Sequence, residues 1–115
     1  MVYSPVFFLG MGGITNIQWE NRIGEISLII DPEKRGKGVG KEVVHVLLEQ
    51  AFLGMGLKTV FGECYMCNEA WHFWKKVKTR YSGLETILPN RKFWNGIFYD
   101  GYYFSLDVDG FVQPA

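Results

Sequence analysis

Apolar residues in the first part of the chain fall into two runs that a short polar segment separates. Residues 6–19 and 23–30 are rich in isoleucine, phenylalanine, leucine and tryptophan, and the sequence Glu-Asn-Arg lies between them at 20–22. Such runs, bounded by turn residues, are typical of β-strands, so we expect two adjacent antiparallel strands. Asp31 and Pro32 should end the second strand, because proline has no N–H to donate to a sheet.

The apolar pattern then changes to a helical spacing. From Val39 to Met55 the apolar residues recur every three or four positions, which predicts one helix with a wide apolar face. Gly54 and Gly56 should close this helix, because glycine readily adopts the left-handed conformation that ends helices. Residues 58–66 then predict a further strand.

The last third of the chain predicts a second helix and a closing hairpin. Asn68 should cap the helix, and the pair Asn95-Gly96 lies between two aromatic-rich arms, which is a strong signal for a type I′ turn. The predicted fold class is α+β, with two main helices packed on a mixed, mostly antiparallel sheet. The length of 115 residues suits a single domain spanning 1–115.

Composition narrows the class of protein. Hydrophobic residues make up 48% of the chain and aromatic residues 17%, which is enough to bury one core without metals or disulfides. The 12 basic and 12 acidic residues cancel, which argues against a protein that neutralises a nucleic-acid backbone. No apolar run approaches the roughly 20 residues of a membrane span, and the start of the chain lacks a basic secretory signal. We therefore expect a cytoplasmic protein with no nucleic-acid or membrane partner.

The two cysteines form a C-x-x-C pair, Cys64 and Cys67, which raises the question of a zinc or redox site. Zinc needs two further ligands, and His45 and His72 fall inside helical patterns. A thioredoxin-type pair would place its first cysteine at a helix start. We predict that the chain holds no metal and that these thiols have no special role.

A glycine-rich stretch follows the second predicted strand and opens the first helix. Unpaired N–H groups and the positive end of a helix make such a turn an anion site, usually for phosphate. A nucleoside-triphosphate loop is excluded, because Arg35 stands where the first glycine is needed and Glu42 replaces the hydroxyl residue. The spacing of Gly36, Gly38 and Gly40 also departs from the dinucleotide pattern.

These residues resemble the pyrophosphate-binding motif of the GNAT superfamily of N-acetyltransferases. The match is the sequence Arg-Gly-Lys-Gly-Val-Gly at 35–40, directly after an apolar strand that ends in Asp-Pro. The likeness extends over roughly residues 6–108 and implies the acyl-CoA N-acyltransferase fold, with acetyl-CoA as co-substrate and a primary amine as acceptor. The tail and the first hairpin look most like the branch that acetylates ribosomal-protein termini and aminoglycosides.

The resemblance implies where the donor binds. Leu28, Ile29 and Ile30 would pair their backbone with the pantetheine arm, and Asn68 would hydrogen-bond the same arm or serve as a plain helix cap. Lysines 75, 76 and 78 and Arg80 would reach the 3′-phosphate or would only favour the helix dipole. The pyrophosphate would be held by Arg35, Gly36, Lys37, Gly38, Val39, Gly40 and Lys41. The alternative for this stretch is a solvated basic turn.

The reaction needs a base for the acceptor ammonium and an acid for the leaving thiolate. Glu63 lies at the spacing from Asn68 at which some members carry their base, and Glu25 is a second candidate because it lies inside an apolar strand. For either, the alternative is a carboxylate that is hydrogen-bonded to a neighbouring strand or loop. The usual acid is a tyrosine on the second helix, but Trp74 stands near that place, so Tyr65, Tyr81 or water would substitute.

The chain also departs from the superfamily at its start, where a strand and one or two helices normally wall the acceptor side. This absence leaves two hypotheses of different class. The first is an acetyltransferase acting on an unidentified amine, and the second is an inactive acyl-CoA-binding or interaction module. A homodimer would supply the missing wall, or a large acceptor would be held elsewhere. Exposed aromatics would line a dimer interface or would belong to the core, and the candidates are Trp19, Trp71, Trp94 and Tyr99.

Overall fold

The first predicted hairpin is present in the computed structural model, which describes residues 6–7, 10–30 and 39–112. Three strands, β1 (Val6–Phe7), β2 (Gly10–Gln18) and β3 (Ile23–Ile30), pair in sequence order and antiparallel. Ile14 and Ile26 are directly opposite each other and buried, so they form the centre of this part of the core. The antiparallel pair expected on either side of residues 20–22 is confirmed.

The predicted first helix is present, but its last turn is wider than predicted. Helix α1 (Val39–Glu49) continues into a π-helical turn, Gln50–Gly54, in which the Met55 N–H donates to the Gln50 carbonyl at 2.8 Å. Gly56 closes the element at a φ of +73°, in the left-handed region that glycine favours. The predicted apolar face is buried at Val43, Val44, Leu47, Leu48, Ala51 and Phe52.

The chain divides into two compact units, with the boundary between Val60 and Phe61, inside strand β4 (Thr59–Tyr65). The first unit carries β1, β2, β3 and α1. The second carries most of β4, then helix α2 (Ala70–Arg80), strands β5 (Leu84–Trp94) and β6 (Ile97–Asp107), and the short helix α3 (Val108–Val112). A single domain over the whole chain stays a prediction.

In the second unit the strand order is β4-β6-β5, and β5 pairs antiparallel with β6. Asn95 and Gly96 have φ values of +54° and +79°, the positive pair that a type I′ turn requires, so the predicted closing hairpin is confirmed. Leu88 and Lys92 flank a shift of register, with Asn90 at a φ of +56° between them.

Helix α2 packs on the β6 side of the second unit through aromatic contacts. The Trp74 ring is stacked on Phe104 at a centroid distance of 5.0 Å, and Trp71 lies 5.9 Å from Tyr102. Gly62 on β4 leaves room for the Phe104 ring, because a Cβ at that position would overlap it. The fold class is therefore α+β, as the sequence predicts, with antiparallel pairs dominating the strands.

Candidate functional site

The glycine stretch leads into the first turn of α1, as an anion site requires. The helix begins at Val39, and Gly40 and Lys41 follow in its first turn, where backbone N–H groups have no acceptor within the helix. Lys41 is exposed. The other four predicted phosphate-binding residues, Arg35, Gly36, Lys37 and Gly38, lie outside the described residues.

The residues predicted to pair with pantetheine lie at the end of β3. Leu28, Ile29 and Ile30 are directly opposite Gly12, Met11 and Gly10 of β2, so one edge of this segment is already paired within the sheet. Their role in holding the donor stays a prediction.

Glu25 has a protein partner on the neighbouring strand. Its Oε1 accepts a hydrogen bond of 2.6 Å from Nδ2 of Asn16, and the side chain is half-buried. Asn16 lies at the irregular point of β2, at a φ of +49°, where the register shifts between Thr15 and Gln18. This bond corresponds to the alternative given for Glu25 in the sequence analysis, a carboxylate that is hydrogen-bonded to a neighbouring strand. Its catalytic role stays a prediction.

Glu63 lies on β4 in a different environment. The side chain is exposed, and the Tyr103 hydroxyl on β6 donates a hydrogen bond to its carboxylate. Burial raises the pKa of Tyr103, the Glu63 charge and hydrogen bond raise it further, and the Arg91 guanidinium lowers it. The raised pKa keeps Tyr103 protonated, so its hydroxyl is a donor for the Glu63 carboxylate.

Tyr65 shares the face of β4 that carries Glu63, because side chains two residues apart on a strand point the same way. Its ring is 40% exposed, and the Lys92 ammonium lies 5.6 Å from the ring centroid. This distance is within the range of a cation–π contact, so the ring already attracts a primary ammonium group.

The second unit thus brings together two predicted residues, Glu63 and Tyr65, and adds three that the sequence did not indicate: Tyr103, Arg91 and Lys92. We call this group of five side chains the β4 cluster. Its added members come from β5 and β6, and their alignment with β4 depends on strand register. No local motif in the sequence could have marked them.

Asn68 caps the second helix, as predicted. Its Oδ1 accepts a hydrogen bond of 2.9 Å from the Ala70 N–H, while its own N–H donates to the Tyr65 carbonyl at 2.9 Å. The helix itself is assigned from Ala70, with Glu69 as the residue before it and no side-chain bond from Glu69. Among the described residues, the Asn68 amide NH₂ has no hydrogen-bond acceptor, and it is the group that a ligand carbonyl would use.

Comparison with known protein families identifies the family of this chain. The model of the acetyltransferase (GNAT) family matches residues 7–78, a segment that contains the glycine stretch, Glu63, Tyr65 and Asn68. The chain belongs to the GNAT family. No curated protein sequence matches it significantly.

Solved acetyltransferases have the same fold. A mutant of spermidine N-acetyltransferase SpeG from Vibrio cholerae is 21% identical over 97% of this chain and 66% of its own, with a TM-score of 0.79. SpeG from the same organism in complex with manganese ions is 22% identical over 90% of this chain and 60% of its own, at 0.76. A probable acetyltransferase is 28% identical over 86% and 55%, at 0.72. This chain therefore has the GNAT fold and spans less than two thirds of the length of these structures.

Trp74, near the place of the usual GNAT acid, belongs to the core. It is 7% exposed and stacked on Phe104, and an indole has no proton to give at ordinary pH. Tyr81, one of the substitutes that the sequence offers, is also buried, and burial raises its pKa. Tyr65 is the substitute with an exposed ring.

The lysines of α2 have a partner within the second unit. Lys75 and Lys78 lie 3.0 Å and 3.6 Å from the Glu85 carboxylate, which also accepts a hydrogen bond of 2.7 Å from the Tyr102 hydroxyl. The Tyr102 bond and then Lys75 hold the pKa of Glu85 below its usual range. Two of the basic residues considered for the 3′-phosphate therefore tie α2 to β5.

The cysteine pair is reduced, and both thiols are partly buried. Burial raises the pKa of Cys64, and the neighbouring Cys67 raises it further. Within residues 6–7, 10–30 and 39–112, no three His, Cys, Asp or Glu side chains converge as a metal site would need. In the same part of the chain, no helix is both long and apolar enough to span a membrane.

Proposed function

We propose that the chain is an acetyl-CoA-dependent N-acetyltransferase that moves the acetyl group to a primary amine by direct attack on the thioester. The observation that carries this proposal is the GNAT family match over residues 7–78, which includes the glycine stretch and, from the β4 cluster, Glu63 and Tyr65. Such a reaction needs a site for the donor, which phosphate-binding glycines supply, and a base for the acceptor, which an exposed carboxylate supplies.

The donor side uses the start of α1. Residues 35–41 supply backbone N–H groups and three cationic side chains for the pyrophosphate, and α1 begins where this anion would lie. Leu28, Ile29, Ile30 and Asn68 hold the pantetheine arm. Gly40 and Lys41, which lie at the start of the helix, fit a pyrophosphate site. Gly40 has no side chain to block the anion, and Lys41 is an exposed cation.

The acceptor side uses the β4 cluster. Glu63 takes a proton from the acceptor ammonium, and the free amine attacks the thioester carbon. The new N–C bond gives a tetrahedral intermediate, and the C–S bond then breaks as Tyr65 gives the leaving thiolate a proton. The second proton of the amine nitrogen returns to the Tyr65 oxygen, and Glu63 releases its proton to water. Tyr103 orients the Glu63 carboxylate, and the ring of Tyr65 attracts a cationic acceptor as it attracts Lys92.

The test is release of CoA thiol from acetyl-CoA in the presence of amines. Spermidine is the first acceptor to try, because the SpeG structures share this fold. Aminoglycosides and peptides with the N-termini of ribosomal proteins follow, for the branch that the sequence resembles. Calorimetric binding of CoA with amine-dependent thiol release supports the proposal. Binding without turnover for any amine contradicts it.

A second candidate function is an acyl-CoA-binding module without turnover. The buried Trp74 favours it, because the usual acid is absent from α2. CoA binding at an affinity that Glu63→Gln leaves unchanged, with no acetylated amine detected by mass spectrometry, would assign this function instead. A cytoplasmic location for either function is tested by fractionation of cells that express the chain.

A further inference from the structure

Two side chains of the β4 cluster, Arg91 and Lys92, are cations to which the proposed reaction gives no task. Both are exposed, and neither forms an ion pair with any residue in the described part of the chain. Asp100, on the neighbouring strand β6, instead accepts a hydrogen bond of 3.2 Å from the Asn90 N–H. The cluster therefore holds two cations and one carboxylate, that of Glu63, so positive charge is in excess beside the proposed base.

An irregularity in β5 brings the two cations to one face of the hairpin. Consecutive residues of a regular strand point to opposite faces. The register of β5 against β6 shifts just before Lys92, and such a bulge redirects a side chain. Lys92 is directly opposite Tyr99, and the stem of Arg91 lies over Gly101, where a Cβ would be 3.1 Å from the Arg91 Cγ. Tyr99, Gly101 and Tyr103 alternate along β6, so both cations lie on the face that carries Tyr103.

Tyr103 connects Arg91 with the proposed base. A Cβ at Gly101 would also be 2.9 Å from the Tyr103 ring, so the Arg91 stem and this ring flank the same small residue. The Tyr103 hydroxyl donates to Glu63, and the Arg91 charge lowers the pKa of Tyr103, so both charged groups act on this hydroxyl. A ligand whose ammonium group meets Glu63 therefore has a cation nearby for an anionic group of its own.

On the side of Tyr103 away from the cations, the same face forms an apolar groove. Its volume is about 310 Å³, at the lower end of the range for small-molecule sites. Phe61, Leu84, Thr86, Tyr103 and Ser105 line it. Leu84 is directly opposite Ser105 and Thr86 is directly opposite Tyr103, so these pairs share one face. Ser105 lies two residues, or about 7 Å, from Tyr103 along β6. A cationic and an apolar surface thus adjoin the base on opposite sides.

This arrangement matches the three groups around the α-carbon of an amino acid. The ammonium group faces Glu63, the carboxylate faces the two cations, and an apolar side chain enters the groove. Guanidinium groups bind carboxylates through paired, charge-assisted hydrogen bonds. A polyamine or an aminoglycoside would bring further cations against Arg91 and Lys92, and like charges in contact are unfavourable. A peptide N-terminus would leave both cations unpaired, because its α-carboxyl is an amide.

We propose that the acceptor is a free α-amino acid with an apolar side chain, held by Glu63 at its ammonium group and by Arg91 and Lys92 at its carboxylate. The products are the N-acetyl amino acid, the CoA thiol and one proton. This inference rests on the proposed acetyl transfer, and its acceptor differs from the spermidine for which the SpeG enzymes are named.

The experiment compares amines of matched structure in the thiol-release assay. Leucine and leucinamide have the same side chain on the α-carbon, but only leucine has a carboxylate. We expect kcat/KM for leucine to exceed that for leucinamide and for spermidine by roughly tenfold or more, because the carboxylate gains hydrogen bonds to charged donors. Glycine lacks the side chain that fills the groove and should also be a poorer acceptor than leucine.

The double variant Arg91→Gln with Lys92→Gln tests the two cations directly. It should lower kcat/KM for leucine to near the value for leucinamide, and it should leave leucinamide itself little changed. Arg22→Gln is the matched control, because Arg22 is an exposed cation in the turn between β2 and β3, within the first unit. It should keep the wild-type preference for leucine.

The outcomes separate this inference from the proposed function. Turnover in which leucinamide or spermidine equals or exceeds leucine overturns the inference and leaves acetyl transfer intact. A double variant that has native circular dichroism and keeps the preference for leucine does the same.

If no amine is acetylated, the proposed function fails, and binding then decides the inference. Leucine should bind the wild-type chain in the presence of CoA more tightly than leucinamide, as measured by saturation-transfer NMR. The double variant should remove this difference. A wild-type chain that binds neither amine, or binds both equally, overturns the inference.

Discussion

Two glutamates show that the environment of a residue, more than its sequence context, decides what it can do. The sequence offers both as the base, Glu63 first on its spacing from Asn68 and Glu25 second because it lies inside an apolar strand. In the folded chain, the Glu25 carboxylate accepts a hydrogen bond of 2.6 Å from Asn16 and is half-buried, whereas Glu63 is exposed and has the Tyr103 hydroxyl as a donor. Glu63 is therefore the better candidate for a base.

This difference predicts unequal effects of one conservative change. Glu63→Gln should lower kcat/KM for the amine by roughly 10²–10⁴-fold, because an amide cannot accept the ammonium proton. Glu25→Gln is the matched control and should retain most of the activity. Thiol-release kinetics measure both, and calorimetry should give both variants the wild-type affinity for CoA. Equal losses in the two variants would contradict the assignment of the base to Glu63.

Glu85 makes the stability of the protein depend on pH. Its pKa is held below the usual value of 4.5, first by the Tyr102 hydrogen bond and then by Lys75. A carboxylate with a lowered folded-state pKa stabilises the fold above its unfolded pKa, and this stability is lost as the pH falls through the folded pKa. We expect Tm of the wild type to exceed that of Glu85→Gln at pH 7, with the difference shrinking below about pH 4.5.

Circular dichroism melts of the two proteins between pH 7 and pH 3 measure this difference. Glu69→Gln is the control, because Glu69 is exposed and its side chain makes no capping hydrogen bond at the start of α2. A gap between wild type and Glu85→Gln that grows on acidification would contradict the expected sign.

Among the helices and strands, the residues at which a helix ends follow from local sequence. The change from α- to π-helical hydrogen bonding depends on packing. Asn68 caps α2 and Gly56 ends the first helical segment, and both were predicted from residue type. The π-helical turn at Gln50–Gly54 was not predicted, since the apolar spacing of its residues is the same as that of an α-helix. Burial of Ala51 and Phe52 against the rest of the first unit is a tertiary constraint.

Gly62 should be sensitive to the smallest enlargement. Gly62→Ala places a methyl group in the Phe104 ring, and overpacking of this kind costs about 1–3 kcal/mol in the free energy of unfolding. Gly54→Ala is the control: a Cβ there meets nothing within 4 Å, and alanine in a helix is favoured by about 0.5–1 kcal/mol over glycine. Urea unfolding measures both. Equal stability of Gly62→Ala and wild type would mean that the Phe104 ring moves aside without strain.

For the whole molecule, binding of CoA at the donor site should raise the free energy of unfolding. CoA at about 100 times its Kd should stabilise the fold by about 2.7 kcal/mol and raise Tm. Replacing Arg35 and Lys37 together by alanine should abolish most of this shift, because both lie in the stretch proposed to hold the pyrophosphate. Lys58→Ala, which removes a charge outside the stretch, should retain it. Differential scanning calorimetry with and without CoA decides between these outcomes.

The sequence by itself determined most of the elements and the family, and it predicts an anion-binding stretch, because caps, turns and glycine spacing are local properties of the backbone. Asn95-Gly96 and residues 35–40 are examples. Only the tertiary structure decided which carboxylate is open, that Tyr103 and Lys92 join it, and that Trp74 belongs to the core. Each of these depends on how strands or helices pack against one another, and pairing between separate elements leaves no signal at any single position.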